Sequence, residues 1–160
     1  MADDVFVMDT SGLPYYSKCF GGETCKMQPD HTLQTGFFAA MYAFSKESFG
    51  QQDIQTVVFS NLRLHFKIDK EKELIAVFTS PLSEDIEKVE KQLDMTLEKF
   101  IDLYGNRIGR GYINVSDFES FEDILLELGV VPKRAMKDIP LKIRYKSWWK
   151  KLLKGKKEFF

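Results

Sequence analysis

Apolar and polar positions alternate along this chain in blocks that predict eight elements. Val5-Phe6-Val7-Met8 is a short apolar run that stops at Asp9-Thr10-Ser11-Gly12, residues suited to a reversal. Leu13 to Phe20 follows, with Tyr15, Tyr16 and Phe20 suited to a second strand, so the two runs predict a β-hairpin. Gly21-Gly22 closes it, and a polar loop runs to Pro29. Asp30 can accept backbone N–H groups at a helix start. Beyond it Leu33, Phe37, Met41, Phe44 and Ser48 recur at helical spacing, widened by Ala40 and Phe49. This predicts one amphipathic helix of about five turns, ended by Gly50, with that stripe as its buried side.

Three strands come next. Ile54 to Phe59 is β-branched and aromatic, and Ser60-Asn61 turns the chain. Leu62, Leu64, Phe66 and Ile68 then alternate with Arg63, His65 and Lys67, which predicts one buried and one wet face. Leu74-Ile75-Ala76-Val77-Phe78 is apolar throughout, as a strand covered on both sides must be. Ser83 is the expected cap of a second helix, whose face is lined by Ile86, Val89, Leu93, Leu97, Phe100, Ile101 and Tyr104. Phe121, Ile124, Leu125 and Leu128 mark a shorter third helix, ended by Gly129 and Pro132. The order is β-β-α-β-β-β-α-α. The first and fifth strands belong in the middle of the sheet and the second at an edge, which predicts a five-stranded, mostly antiparallel sheet of order 2-1-5-4-3. With the first helix on one face and the later two on the other, the fold class is a layered α-β-α, α/β (α+β) domain.

Composition narrows the function. The 160 residues suit one domain with an appendage. No apolar run approaches the ~20 residues that span a bilayer, and the opening Met-Ala-Asp-Asp shows no secretory signal, so a cytoplasmic setting is expected. The net charge of −1 conceals an asymmetry: residues 133–160 hold 11 Lys/Arg and 2 Asp/Glu, or +9, leaving −10 on residues 1–132. We therefore divide the chain into a domain, 1–131, and a basic amphipathic tail, 132–160.

Enzyme chemistry finds little support. His31 sits at a helix start and His65 on the polar side of a strand, so both read as surface histidines. Cys19 and Cys25 flank a Gly-Gly loop and read as free thiols, and close-spaced zinc ligands are missing. No phosphate-binding G-x-x-x-x-G-K-[ST] occurs, and Gly105, Gly109 and Gly111 around Arg107 and Arg110 read as a helix end and a link. Neither a catalytic residue, a metal nor a cofactor is assigned. The tail carries the candidate site: Tyr145, Trp148, Trp149, Leu152 and Leu153 fall on one helical face, with Lys146, Lys150, Lys151 and Lys154 on the other. Three readings of it stay open: a helix docked on the domain, a helix on an anionic membrane or partner, and a nucleic-acid binder, the last disfavoured by the acidic body.

Across residues 4 to about 130 the chain resembles the longin family, whose profilin-like, SNARE-like fold has the same element order. The resemblance is carried by Val5-Phe6-Val7-Met8-Asp9-Thr10-Ser11-Gly12-Leu13-Pro14-Tyr15-Tyr16-Ser17, which looks like the longin hairpin "hydrophobic strand, D-x-x-G-x-P-x-Y-S", and by Phe59-Ser60-Asn61-Leu62-Arg63-Leu64-His65-Phe66. It is most similar to the first longin domain of subunits that activate Rab GTPases on late endosomes and lysosomes, or to free-standing archaeal longin-like proteins. The absence of a heptad segment after the domain departs from the SNARE type. The resemblance implies a non-enzymatic module that scaffolds or regulates a small GTPase in membrane trafficking, cytoplasmic and peripheral on a membrane. It also implies pairing with itself, with another longin or with a roadblock-like subunit. The third strand, Ile54 to Phe59, is an apolar edge that such pairing would cover. The alternative in another class is a basic-tailed nucleic-acid- or ribosome-associated factor.

Overall fold

The structure, a computed structural model, describes residues 1–22, 25, 29–109 and 114–132. Among the described residues five strands and three helices follow in the expected order: β1 (Asp4–Asp9), β2 (Pro14–Cys19), α1 (His31–Ser48), β3 (Thr56–Val58), β4 (Leu62–Asp69), β5 (Leu74–Pro81), α2 (Ile86–Tyr104) and α3 (Phe121–Glu127), with a 3-10 turn over Val115–Phe118. The sheet order is β2-β1-β5-β4-β3, all pairs antiparallel. The two continuously apolar strands, β1 and β5, lie side by side within it. A strand buried on both faces needs helices on both, and the side chains of β1 and β5 divide accordingly. Val5, Val7, Leu74, Ala76 and Phe78 meet α2 and α3 on one side, whereas Phe6, Met8, Ile75 and Val77 meet Phe38 and Tyr42 of α1 on the other.

The α2 side is the larger core and is rich in rings. Phe100 contacts Tyr104 at 5.1 Å, Phe121 at 5.2 Å, Phe118 at 5.7 Å and Tyr15 at 6.2 Å between centroids. On the other side Phe38 stands edge-on to Phe6 at 5.0 Å and to Phe66 at 5.9 Å. The fold closes where Ala2 N–H donates to the Val130 carbonyl at 3.0 Å, with Val130 and Val131 buried in the α2 core.

The β1–β2 turn positions α1. Asp9 Oδ1 accepts from the N–H groups of Ser11 and Leu13 at 3.0 and 2.8 Å, which folds the turn tightly. Gly12 adopts φ +95°, and a Cβ there would stand 3.2 Å from Gly36 Cα and 3.3 Å from Ala39 Cβ. The turn therefore touches the helix backbone, and only small residues fit at the crossing.

Four expectations change. The apolar stripe of α1 is turned around: Thr35, Phe38, Ala39 and Tyr42 are the buried residues, and Leu33, Phe37 and Phe44 point to solvent. β3 shrinks to three residues. The cap of α2 is Asp85, whose carboxylate accepts from Lys88 N–H at 3.2 Å, not Ser83. His65 is fully buried, because α2 extends over β4 and covers the face that alternation assigns to water.

Candidate functional site

The proposed tail residues Tyr145, Trp148, Trp149, Lys150, Lys151, Leu152, Leu153 and Lys154 lie outside the described residues. Within them, the most unusual surface is the outer side of α1. Residues 32–45 contain no charged side chain, so the helix has apolar groups on its inner and outer faces alike. Leu33 is 74% exposed, Phe37 49% and Phe44 66%. Gly36, Ala40 and Ala43 lie between them on the same exposed face, leaving it uncrowded. The surface continues beyond the helix end. Phe49 is 64% exposed and Phe59 43%, whereas Val58, 63% exposed, pairs with Arg63 and faces the α2 side of the sheet.

The reason these regions adjoin is the packing beneath them. Met41 of α1 and Val57 of β3 pack on the same core cluster, together with Ile54 from the intervening connection. Ser45 Oγ donates to the Tyr42 carbonyl at 3.0 Å and lies 3.5 Å from the Gln52 carbonyl oxygen, so that connection runs close to the helix. β3 pairs with β4 through Thr56, Val57 and Val58, extended by Phe66 N–H donating to the Gln55 carbonyl and Phe59 N–H to the Leu62 carbonyl, both at 2.8 Å, and it is an edge strand of the sheet. An uncharged helix face beside an apolar edge strand is a surface that proteins ordinarily cover.

Charge begins in the last turn of α1, with Lys46 and Glu47 between Phe44 and Phe49, and is denser elsewhere. A groove of about 370 Å³ between β4 and α2 is lined by Lys67, Asp69, Asp94, Glu98 and Asp102. Lys67 Nζ pairs with Asp94 Oδ1 at 3.1 Å across it. Lys18 of β2 pairs with Glu122 of α3, tying the opposite edge to the last helix.

Each histidine has a structural role. His31 Nδ1 lies 3.1 Å from Ser17 Oγ, and its ring meets Phe6 edge-on at 5.7 Å, which fixes the first turn of α1. His65 Nε2 lies 2.8 Å from Ser80 Oγ. Burial, and then the charge of Arg63, hold the His65 imidazole below its ordinary value of 6.5. Just below that pH the unfolded chain binds a proton that the folded chain refuses. Stability is then full above about pH 6.5 and declines as pH falls towards the folded value. A melting-temperature series from about pH 7.5 down to about pH 5.5 should show this decline, and His65→Gln should flatten it. Parallel curves for the two proteins would assign the decline to other groups.

The cysteines depart from the reading as free thiols: Cys19 and Cys25 form a disulfide, with Cα atoms 5.6 Å apart. Gly21 and Gly22 adopt φ +153° and +80°, and this reversal brings Cys25 back onto the end of β2. Asp4, opposite Cys19 in the β1–β2 register, is buried beside them. Its neighbour Asp3 has a carboxyl raised above its usual range, by burial and then by the Asp4 charge. Strand pairing alone brings Asp4 to this corner from far along the chain, and sequence spacing carries no signal for it.

Among the described residues no helix is long and apolar enough to cross a membrane. No family model and no curated protein matches the sequence. Solved structures do share its architecture. MglB from Myxococcus xanthus superposes with a TM-score of 0.54 at 16% identity, covering 69% of this chain and 83% of that one. The gliding protein MglB from Thermus thermophilus gives a TM-score of 0.50 at 14% identity, over 64% and 79% of the two chains. A Roadblock/LC7 domain from Streptomyces avermitilis gives 0.50 at 12% identity, over 64% and 84%. With its 2-1-5-4-3 antiparallel sheet between helical layers, the chain has the longin/roadblock-like fold.

Proposed function

We propose that this chain is a non-enzymatic binding module that scaffolds or regulates a small GTPase in membrane trafficking. It works as one half of a pair, with itself or with another longin or roadblock-like subunit. The observation that carries the pairing is the outer face of α1, uncharged over residues 32–45 and exposing Leu33, Phe37 and Phe44, on a helix packed on the same core cluster as the β3 edge. Two such faces brought together bury apolar surface and leave no ion unpaired, which is how permanent subunit contacts are built. The GTPase assignment rests on the longin resemblance of the hairpin, with the shared fold of MglB and Roadblock/LC7 domains as its structural support. Recognition belongs to the protein surface of the GTPase, and the acidic body steers a basic partner with a salt-sensitive on-rate.

The test is a pull-down of purified small GTPases, each loaded with GDP and with a non-hydrolysable GTP analogue. Retention of one GTPase in a nucleotide-dependent manner is the expected result. Nucleotide binding or GTP hydrolysis by this chain alone would contradict the reading.

The tail supplies the membrane contact in this proposal. Each lysine near an anionic surface contributes roughly 1 kcal/mol, screened by salt, and two interfacial tryptophans add buried apolar area. Titration with phosphatidylserine vesicles should shift the Trp148 and Trp149 fluorescence to the blue. Lys150→Glu, Lys151→Glu and Lys154→Glu together should remove the preference for anionic lipid. Tryptophans already shielded without vesicles, and unaffected by them, would favour a tail docked on the domain.

A further inference from the structure

We propose that, once the Cys19–Cys25 bridge is reduced, the two thiolates and the Asp4 carboxylate form a binding site for a divalent cation of the zinc class. One ligand atom from each of these three residues lies within 4.8 Å of the others. Ligands around a tetrahedral zinc stand roughly 3.5–3.8 Å apart, given metal–sulfur and metal–oxygen bonds of about 2.3 and 2.0–2.2 Å. The bridge holds the two sulfurs closer than this, so coordination requires them to part by roughly 1.7 Å once an S–S bond of about 2.05 Å is cut. Cys19 and Asp4 are fixed on paired strands, whereas Cys25 lies off the sheet, beyond the Gly21-Gly22 reversal.

The chemistry of the donor set selects the ion. Two sulfurs and one carboxylate oxygen suit a borderline-soft cation and are a poor site for calcium or magnesium, which take oxygen ligands. Asp4 is 1% exposed, and both cysteines are half-buried, so the ion would be partly shielded from water while one coordination position stays open. Thr79 holds the carboxylate in place: Asp4 N–H donates to Thr79 Oγ1 at 3.0 Å, and the Thr79 hydroxyl donates back to Asp4 Oδ2. Such an outer hydrogen bond is what orients a metal ligand. A full complement of two thiolates and a carboxylate would place three negative charges in a half-buried corner, and a dication offsets that cost.

The two states interconvert with a simple balance. An external dithiol delivers two electrons and two protons to the S–S bond and becomes a disulfide; a phosphine delivers the two electrons while water supplies the two protons and the oxygen of the phosphine oxide, and either route leaves two cysteine thiols. Metal binding then releases those two protons as the thiolates coordinate. A small-molecule disulfide that takes up the two electrons is reduced to two thiolates, restores the bridge and expels the ion. This site lies at the β1–β2 end that leads into α1, and it stands independently of any GTPase partner.

The experiment uses the full chain, reduced with a phosphine, desalted under nitrogen and titrated with Co²⁺ as a spectroscopic substitute for zinc. One equivalent of Co²⁺ should produce a thiolate-to-metal charge-transfer band together with the intense visible bands of a tetrahedral site. Zn²⁺ should erase both and should protect the thiols from a disulfide reagent. The oxidised chain should give neither band. Cys19→Ser and Cys25→Ser should each lose the charge-transfer band or halve it. Asp4→Asn keeps the shape of the Thr79 contact and should weaken binding at least about tenfold. A folded, reduced chain without the charge-transfer band would overturn the proposal, as would Asp4→Asn binding as tightly as the parent. If Asp4→Asn does not fold, Thr79→Val tests the same carboxylate through its orientation, and undiminished affinity there would overturn the assignment of Asp4.

Discussion

Phe44→Glu combined with Phe37→Glu is expected to convert a dimer into a monomer at tens of micromolar, with the fold intact. Burying a phenylalanine is worth roughly 1.5–3 kcal/mol. In a twofold pair each substitution acts twice, so one position alone accounts for about 3–6 kcal/mol, or two to four orders of magnitude in Kd. The glutamates add the cost of a charge in an apolar contact. Because both side chains face solvent in the single chain, its own stability should stay within about 0.5 kcal/mol of the parent, as for ordinary surface changes. Light scattering and a denaturant melt on the same samples check the two halves of this forecast. A parent chain that is already monomeric, with no partner captured, would remove the pairing surface from the proposal. If a Phe44 substitution unfolds the monomer, the side chain is not free on the outer face.

Phe100→Ala should behave in the opposite way. Phe100 is fully buried, and its ring is central to the aromatic group of Tyr15, Tyr104, Phe118 and Phe121 that joins β2, α2 and α3. Removing a buried phenylalanine deletes its transfer energy and leaves a cavity, together about 3–5 kcal/mol. A domain of this size has only about 5–15 kcal/mol to lose. Urea denaturation should show the midpoint falling steeply with little change in slope. The same substitution at Phe44 should leave the urea midpoint of a chain held below its dimer Kd unchanged. The contrast between two phenylalanines of equal size, one on each helix, isolates burial as the cause.

The sheet was legible from sequence for a definite reason. A strand covered on both faces cannot afford polar residues, so Val5-Phe6-Val7-Met8 and Leu74-Ile75-Ala76-Val77-Phe78 announced central positions, and the structure places both there. Helix α1 was legible in extent and misread in rotation. Leu33, Phe37, Met41 and Phe44 do form an apolar stripe, but Phe38, Ala39 and Tyr42 form a second one, and periodicity does not say which of two apolar faces meets the sheet. The choice is made by shape: the Gly12 turn needs Gly36 and Ala39 beside it, and this turns Phe37 outward. His65 was misread because alternation reports the polarity of a face and not its cover, and α2 overhangs β4. The cysteine corner was hidden because its third member, Asp4, arrives by strand register. The tail, which carries the sequence's own candidate residues, lies outside the described residues.

The clasp between Ala2 and Val130 has a geometric consequence. Val130 and Val131 are sealed into the α2 core, whereas the uncharged face belongs to α1, across the sheet. The described chain thus ends, at Pro132, on the α2 side of the sheet, opposite the uncharged face of α1. Under the proposed pairing through α1, a companion held on one side would leave that end uncovered on the other. An attraction too weak to hold one copy at a surface would then gain avidity in two.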